Sequence, residues 1–443
     1  MCEQQLVVDD VSNNPRRSKA HQLVMLTSCN GNNQFASRTS PYRTLCILTA
    51  GLAFILGLVV GVMIPLYVLP RGVASSRLNV NASRPMESQR RNNYIKAATE
   101  FPSVSFVANS AAPVTVVRPS VDTGGFLQEG VYWGRRVEDA MPAGFEESEA
   151  ESWRRFARKT PVVKVEEGCG RMQNRLLTFE GGTRSCCRYR QNTDQIQGEL
   201  FSFYLGRLLG LRNLAPSSLA LVRLRDPLWS RVRPQLSLAQ WNEERTVVLT
   251  RFVPSLEPAH IPSSLRTSGR RLHPPDVMFS KHRTTSELVE LAQWSDLIVF
   301  DYLTANLDRV VNNLYNLQWN PAMMDAPAHN LAREPNSGLL VFFDNESGLL
   351  HGYRLLGKYE AYHGALLGAL CVFRRSTADA IKRLHSDKNV GHLLQARFDA
   401  SEPEFRDFLP SLPDKSIKIL NERIDRVYEQ IERCERQYSA RNS

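Results

Sequence analysis

The stretch from Leu45 to Leu69 is an unbroken apolar run of 25 residues in which Thr49 is the only conventionally polar side chain. No other feature restricts the architecture of the chain so strongly. As a helix it is long enough to cross the hydrocarbon core of a bilayer with some tilt. Arg43 and Arg71 close it on either side, and membrane helices tolerate the Pro65 and three glycines inside it. Small residues Val73 to Ser75 follow, as at a cleavage site, but 44 residues precede the run, too many for the usual leader of a signal peptide. The chain therefore reads as a cytoplasmic tail (1–44), a transmembrane signal anchor (45–69), a flexible stem (70–125) and a folded domain (126–443).

Two observations bear on orientation, and they oppose each other. Arg38 and Arg43 lie just upstream of the run, whereas Arg71, Arg77, Arg84, Arg90 and Arg91 lie downstream, so the positive-inside rule leans against a lumenal C-terminus. Asn81-Ala-Ser83 is a glycosylation acceptor, which is used only if the stem is lumenal. The lumenal orientation is the one adopted.

At 42% hydrophobic and 23% charged residues, the composition is that of a globular protein. A net charge of +10 favours an acidic partner. Nucleic acid is the weakest choice, because no zinc finger, aromatic RNA-binding motif or dense basic helix occurs. Five cysteines follow the apolar run: Cys169, Cys186, Cys187, Cys371 and Cys434. An oxidising compartment would allow two disulfides and one free thiol. None of the cysteines or histidines has zinc-ligand spacing.

The chemistry is concentrated in Phe300-Asp-Tyr-Leu-Thr-Ala-Asn-Leu-Asp-Arg-Val-Val-Asn-Asn-Leu314 and, about thirty residues later, Leu340-Val-Phe-Phe-Asp-Asn-Glu-Ser347. Asp308 stands five residues before Asn313, and Asp344 ends an apolar strand. That is the spacing of a kinase catalytic loop and its metal-binding aspartate. Alone, such a spacing is ordinary in loops and helix caps. Its surroundings strengthen it: Thr284-Thr-Ser-Glu287 is a capping box, and Leu288, Leu291, Leu297, Ile298 and Tyr302 follow at helical intervals. Asn313–Trp319 and Leu339–Phe343 read as two strands.

Upstream, Glu146–Arg158 reads as an amphipathic helix, and Val162–Arg171, Arg175–Thr183 and Arg184–Arg190 as short strands. Gly168 and Gly170 form a Gly-x-Gly turn that could admit nucleotide phosphates to backbone amides, although a plain hairpin bend uses the same residues. Gln195–Leu211 follows as a helix with Glu199 in its first turns. Glu257–Thr285, rich in Pro, Ser, His and Arg, reads as an insertion or long loop, and Ser416–Gln437 as an amphipathic closing helix.

Through Gln195-Ile-Gln-Gly-Glu199, Phe300-Asp-Tyr-Leu-Thr-Ala-Asn306, Asp308-Arg309 and Asp344-Asn-Glu346, the chain resembles the Four-jointed family of secretory-pathway kinases, related to the Golgi casein kinases. The resemblance covers about residues 126–437. It implies an α+β, atypical bilobal protein-kinase-like fold after the anchor and stem, in a type II Golgi membrane protein. It also implies ATP, Mn2+ or Mg2+, and phosphorylation of Ser or Thr in Fat- and Dachsous-type cadherin repeats.

The spacing gives Asn313 and Asp344 the divalent ions; by the resemblance Asp308 is the catalytic base, Asp344 holds metal, Glu199 is the helix glutamate, and Gly168 and Gly170 line the nucleotide loop. Cys371 and Cys434 would form a disulfide, and Cys169 would pair with Cys186 or Cys187. The chain departs from the kinase pattern in two places. No His-Arg-Asp precedes the base, and the strand expected to carry the ATP lysine carries Arg188 and Arg190 instead. Arg188 then needs a counter-charge, for which Glu199 is best placed, with Arg190 or Lys164 as substitute phosphate ligands. Asn345-Glu-Ser347 is a formal acceptor sequon expected to stay unused. A membrane-tethered, kinase-like binding protein without turnover is the rival reading. A Golgi glycosyltransferase would need an Asp-x-Asp site, and Asp301 and Asp308 are too far apart to form one.

Overall fold

Period-two alternation and turn glycines drive the first half of the folded domain into a sheet. The computed structural model describes residues 125–266, 269–278 and 283–438. The segment 45–69 and the stem with Asn81 lie outside them. Among the described residues no helix is long and apolar enough to cross a membrane.

Helix α1 (Glu147–Lys159) begins with a capping box, in which Glu149 accepts from the Glu146 amide at 3.0 Å. Strands β1 (Val162–Glu167), β2 (Arg175–Phe179) and β3 (Arg184–Arg188) are followed by helix α2 (Thr193–Leu208), β4 (Ser217–Leu221) and β5 (Thr246–Arg251). The strands form one antiparallel sheet in the order β1-β2-β3-β5-β4. One face of that sheet packs a core with Trp153, Val162, Phe179, Cys187, Tyr189, Trp229 and Trp241. Alternation along β3 sends Cys187 into this core and leaves Cys186 and Arg188 on the opposite face.

Helix α2 is buried from Ile196 to Gly206 and belongs to a second, larger core. A narrow apolar stripe was all that its sequence spacing required. Its near-complete burial makes it the central helix of the domain.

The segment after Glu257 is more ordered than a long loop. Strand β6 (Glu257–His260) pairs with β7 (Pro327–Arg333), which pairs with β8 (Leu340–Phe342). Leu265, Leu272 and Val277 are buried in the larger core. Helix α3 (Thr285–Thr304) starts at the expected box, where the Glu287 amide donates to Thr284 Oγ1 at 3.2 Å, and it ends in a left-handed Ala305.

Residues 313–319 do not form the expected strand. Val310–Asn316 is helix α4, with Val310, Val311 and Leu314 buried along one face. The partner of β8 is instead β7. Leu314, Tyr315, Leu317 and Trp319 suit a short strand, and packing of the 310/311/314 face overrode that signal.

Helices α5 (Leu356–Gly368), α6 (Arg375–Asp387), α7 (Val390–Ser401) and α8 (Asp414–Tyr438) complete the domain. A Cys371–Cys434 disulfide ties α8 to the residues before α6, as the family resemblance implied. Just after α7, Glu402 is fully enclosed. It pairs with Arg158 of α1 and lies 3.5 Å from Arg154.

Candidate active site

Three elements converge on one cleft: the end of β3, the first turns of α2, and the Asp344–Gly348 loop that follows β8. They can do so because residue 198 is glycine. A Cβ there would stand 2.7 Å from the Glu346 carbonyl oxygen and 2.9 Å from that of Gly348, so only glycine lets α2 lie against this loop.

Arg188 occupies the centre. Its Nη1 lies 2.7 Å from Asp344 Oδ1 and 2.9 Å from Glu346 Oε2, and its Nε lies 3.5 Å from Glu199 Oε2. Glu199 is thus a counter-charge of Arg188, but Asp344 and Glu346 are closer. Burial alone would favour the neutral guanidine; the three carboxylates more than offset it and hold Arg188 firmly charged. Glu199 shows the opposite balance. Its burial raises the carboxyl pKa despite Arg188 and the Asn345 amide, which donates to Oε2 at 2.6 Å.

Spacing alone did not single out Glu346. Its side chain is 1% exposed and lies 2.7 Å from Arg190 Nε and 3.3 Å from Arg171 Nη1. Burial opposes its ionisation, and Arg188 and Arg190 outweigh burial, so its pKa falls. Its place in Asp344-Asn-Glu346, beside the singled-out Asp344, was the available signal.

The other two candidates for phosphate binding are placed elsewhere. Lys164 is exposed and pairs with Glu166 at 2.8 Å. Arg190 is locked by Glu346, by Asn174 Oδ1 at 2.7 Å and by its neighbour's carbonyl. Cys169 bonds to Cys186 rather than to Cys187, which stays reduced and buried, as the alternation along β3 requires. That bond pins the Gly-x-Gly turn to β3. Gly170, at φ +88°, lines the cleft beside Cys169, whereas Gly168 packs near Leu176.

Asp308 sits in the loop between α3 and α4. Asn306 Oδ1 accepts from the Asp308 amide at 3.0 Å and from Ser347 Oγ at 2.9 Å, which stitches this loop to the Asp344 loop. Burial raises the Asp308 pKa; hydrogen bonding by Ser347 opposes the shift and the charge of Asp344 adds to it. Arg309, with no exposure, reinforces the same seam. It pairs with Asp301 and donates to Asn345 Oδ1 at 2.5 Å, Phe343 O at 3.2 Å and Asn330 O at 3.1 Å. Asn345 is 3% exposed, so its sequon has no room for a glycan.

Among the described residues no group of three or more His, Cys, Asp or Glu forms a ready-made metal cage. A divalent cation that keeps waters and takes substrate phosphates does not need one. The residues present fit such an ion. Asp308 and Asp344 repel each other, and Asn313 Oδ1 is buried without a hydrogen-bond partner while Nδ2 donates to Met323 O at 2.8 Å. Asn313 has no hydrogen bond to the arginine–carboxylate cluster and is not among the residues lining its cavity.

The cavity at this cleft has a volume of about 270 Å³. Arg188, Glu199 and Asp344 form its charged end, and Ala215, Phe252, Val253, Leu256 and Val341 its apolar wall. A profile of the four-jointed box protein middle domain matches residues 148–437. The chain belongs to the four-jointed box family. The Drosophila melanogaster "Extracellular serine/threonine protein kinase four-jointed" is 40% identical over 94% of this chain and 90% of its own. The Homo sapiens "Four-jointed box protein 1" is 41% identical over 74% of this chain and 76% of its own. Among solved structures, the Golgi casein kinase with Mn/ADP bound covers 68% of this chain and 80% of its own at 13% identity and TM-score 0.44. Hydra Fam20 with sugar covers 69% of this chain and 96% of its own at 14% identity and TM-score 0.46. Those two likenesses are too loose to carry an argument about chemistry. Family membership rests on the sequence matches.

Proposed function

We propose that this chain is a secretory-pathway serine/threonine protein kinase. It is held in the Golgi membrane as a single-pass type II protein, with its catalytic domain in the lumen. It transfers the γ-phosphate of ATP to Ser or Thr of Fat- or Dachsous-type cadherin repeats, and so modulates cell–cell adhesion and planar polarity signalling. The observation that carries the reading is Arg188, enclosed by Asp344, Glu346 and Glu199 at the charged end of a cavity with an apolar wall. The description of the fly relative as an extracellular serine/threonine kinase supports it.

In this reading the apolar wall takes the adenine and Arg188 takes phosphate oxygens, releasing Asp344. Asp308 accepts the proton of the attacking hydroxyl, and its raised pKa brings it nearer the pH at which a base works well. Asp344 and Asn313 would hold Mn2+ or Mg2+, which supplies charge neutralisation on the phosphates. Glu199 and Glu346 hold Arg188 in place.

The test is transfer of labelled phosphate from ATP to a cadherin-repeat fragment by the full-length chain with Mn2+. Transfer that Asp344→Asn abolishes supports the reading. The rival, a tethered kinase-like binding protein, rests on the same ion pairs, since nucleotide must displace two short contacts of Arg188. Binding of ATP without transfer would favour it. A glycan on Asn81 and a protease-protected C-terminal domain are the expected signs of lumenal topology. A domain cleaved on intact vesicles would overturn that topology. Cleavage within the stem would release a soluble, secreted form.

A further inference from the structure

Three arginines converge on the Glu346 carboxylate, and they are held very differently. The side chains of Arg188 and Arg190 are 11% and 3% exposed, whereas that of Arg171 is 58% exposed and reaches Glu346 through a single contact at 3.3 Å. Arg171 directly follows Gly170, in the turn whose Cys169 and Gly170 line the cleft cavity.

The backbone of this turn is braced. Cys169 is bonded to Cys186 of β3, Asn174 Nδ2 donates to the Cys169 carbonyl at 2.7 Å, and the Asn174 amide donates to the Arg171 carbonyl at 2.9 Å. Arg190 in turn donates to Asn174 Oδ1 at 2.7 Å. A fixed backbone therefore carries a side chain restrained by one 3.3 Å ion pair, with its guanidinium side open to solvent and to competing anions. Glu346 keeps Arg188 and Arg190 when Arg171 leaves, so no buried charge is stranded.

We propose that Arg171 is a catalytic residue whose guanidinium leaves Glu346 when nucleotide binds and engages the oxygens of the transferring phosphoryl group, across from Asp308. This deepens the kinase reading above and rests on it. In the step, the Ser or Thr oxygen forms a bond to the γ-phosphorus while the bond from that phosphorus to the β–γ bridging oxygen breaks. The bridging oxygen keeps the electron pair and leaves as ADP, and the hydroxyl proton passes to the Asp308 carboxylate. Charge spreads over the equatorial and leaving oxygens, and a planar guanidinium can donate to two of them at once. Separately, burial raises the Asp308 pKa, and Arg171 is among the charges that act against that rise, which places it within electrostatic reach of the base.

The experiment compares the full-length wild type, Arg171→Ala and Arg171→Lys with Mn2+, using the cadherin-repeat acceptor. It reads kcat and KM for ATP, affinity for ADP, affinity for ADP–aluminium fluoride as a mimic of the transferring phosphoryl, and thermal midpoint. For Arg171→Ala we expect kcat to fall about a hundredfold or more, with ADP affinity within about threefold of wild type. Affinity for ADP–aluminium fluoride should fall by about tenfold or more, and Arg171→Lys should recover part of both losses. The exposed position predicts an unchanged thermal midpoint. A kcat within about threefold of wild type overturns the proposal, as does equal loss of ADP and ADP–aluminium fluoride affinity, or a lowered midpoint in both variants. A wild type that neither binds nucleotide nor transfers phosphate overturns the kinase reading, and this proposal falls with it.

Discussion

Arg188 and Arg309 both hold the segment that follows β8, with side chains 11% and 0% exposed, yet their surroundings differ in kind. All three nitrogens of Arg309 have partners: Asn330 O on Nε, Asp301 on Nη1, and Phe343 O and Asn345 Oδ1 on Nη2. Arg188 directs Nη1 at two carboxylates, while its buried Nε has no hydrogen-bond partner and only a 3.5 Å ion pair with Glu199. An arginine with every donor matched is a brace, because moving it would expose several unpaired groups. One held mainly by charge, beside an open cavity, can trade one anion for another. The brace joins the Asp308 loop to the Asp344 loop, and the exchangeable arginine lines the cavity beside Asp344.

The largest expected effect tests whether the exchangeable side is the chemical one. Asp344 adopts a left-handed backbone, φ +58°, which asparagine tolerates better than alanine. Asp344→Asn should lower turnover by about a thousandfold with the thermal midpoint preserved. Near-normal turnover would place the metal-binding carboxylate elsewhere.

Next comes the brace itself. Arg309→Lys keeps the charge but cannot reach all four acceptors, and should cost about 3 kcal/mol of stability in denaturant unfolding. A variant as stable as wild type would erase the distinction between the two arginines.

A third cluster reverses the geometry, with a carboxylate enclosed by arginines. Burial raises the Glu402 pKa to about 7 against the attraction of Arg158 and Arg154. A raised folded-state pKa means that the group's contribution to stability is fully present below its ordinary value near 4.5 and is lost as pH rises through 7. Relative to Glu402→Gln, wild type should lose up to about 3 kcal/mol between those limits. Parallel stability profiles for the two proteins would show that Glu402 stays ionised throughout.

The smallest effect is expected for Arg188→Lys. One ammonium can satisfy the position of Nη1, so stability should change by less than about 1 kcal/mol while KM for ATP rises up to about tenfold through loss of the planar fork. A stability loss matching that of Arg309→Lys would make Arg188 a second brace.

Strands β1 to β3, α2, α3 and α8 were legible because each is bounded by clear turns or strongly patterned, whereas β4 and β5 were not singled out. The capping box at Thr284, the Gly-x-Gly turn and the apolar positions of Ser416–Gln437 are local signals of kinds that rarely mislead. Residues 313–319 were misread because Leu314, Tyr315, Leu317 and Trp319 suit a short strand as well as the helix that buries Val310, Val311 and Leu314. Strand β7 escaped because Pro327-Ala-His-Asn carries little strand signal, and its pairing with β6 and β8 supplies the missing stabilisation. Glu346 and Arg309 stood inside motifs already singled out by their aspartates, but that Arg188 meets Asp344 and Glu346 is a relation between segments more than 150 residues apart.

By itself, the sequence determined local matters: the apolar run 45–69, the capping box that starts α3, and the presence of Asp308 and Asp344 beside helix and strand ends. Period, capping and charge are properties of neighbours in the chain, so they can be read there. Only the tertiary structure decided that Asp344 and Glu346 rather than Glu199 lie nearest Arg188, that Cys186 closes the disulfide, and that Arg309 braces the base loop. Those choices depend on where α2 comes to rest against the Asp344–Gly348 loop. Close packing at Gly198 and the cost of leaving buried charges unpaired set that position, and both act only once distant segments have met.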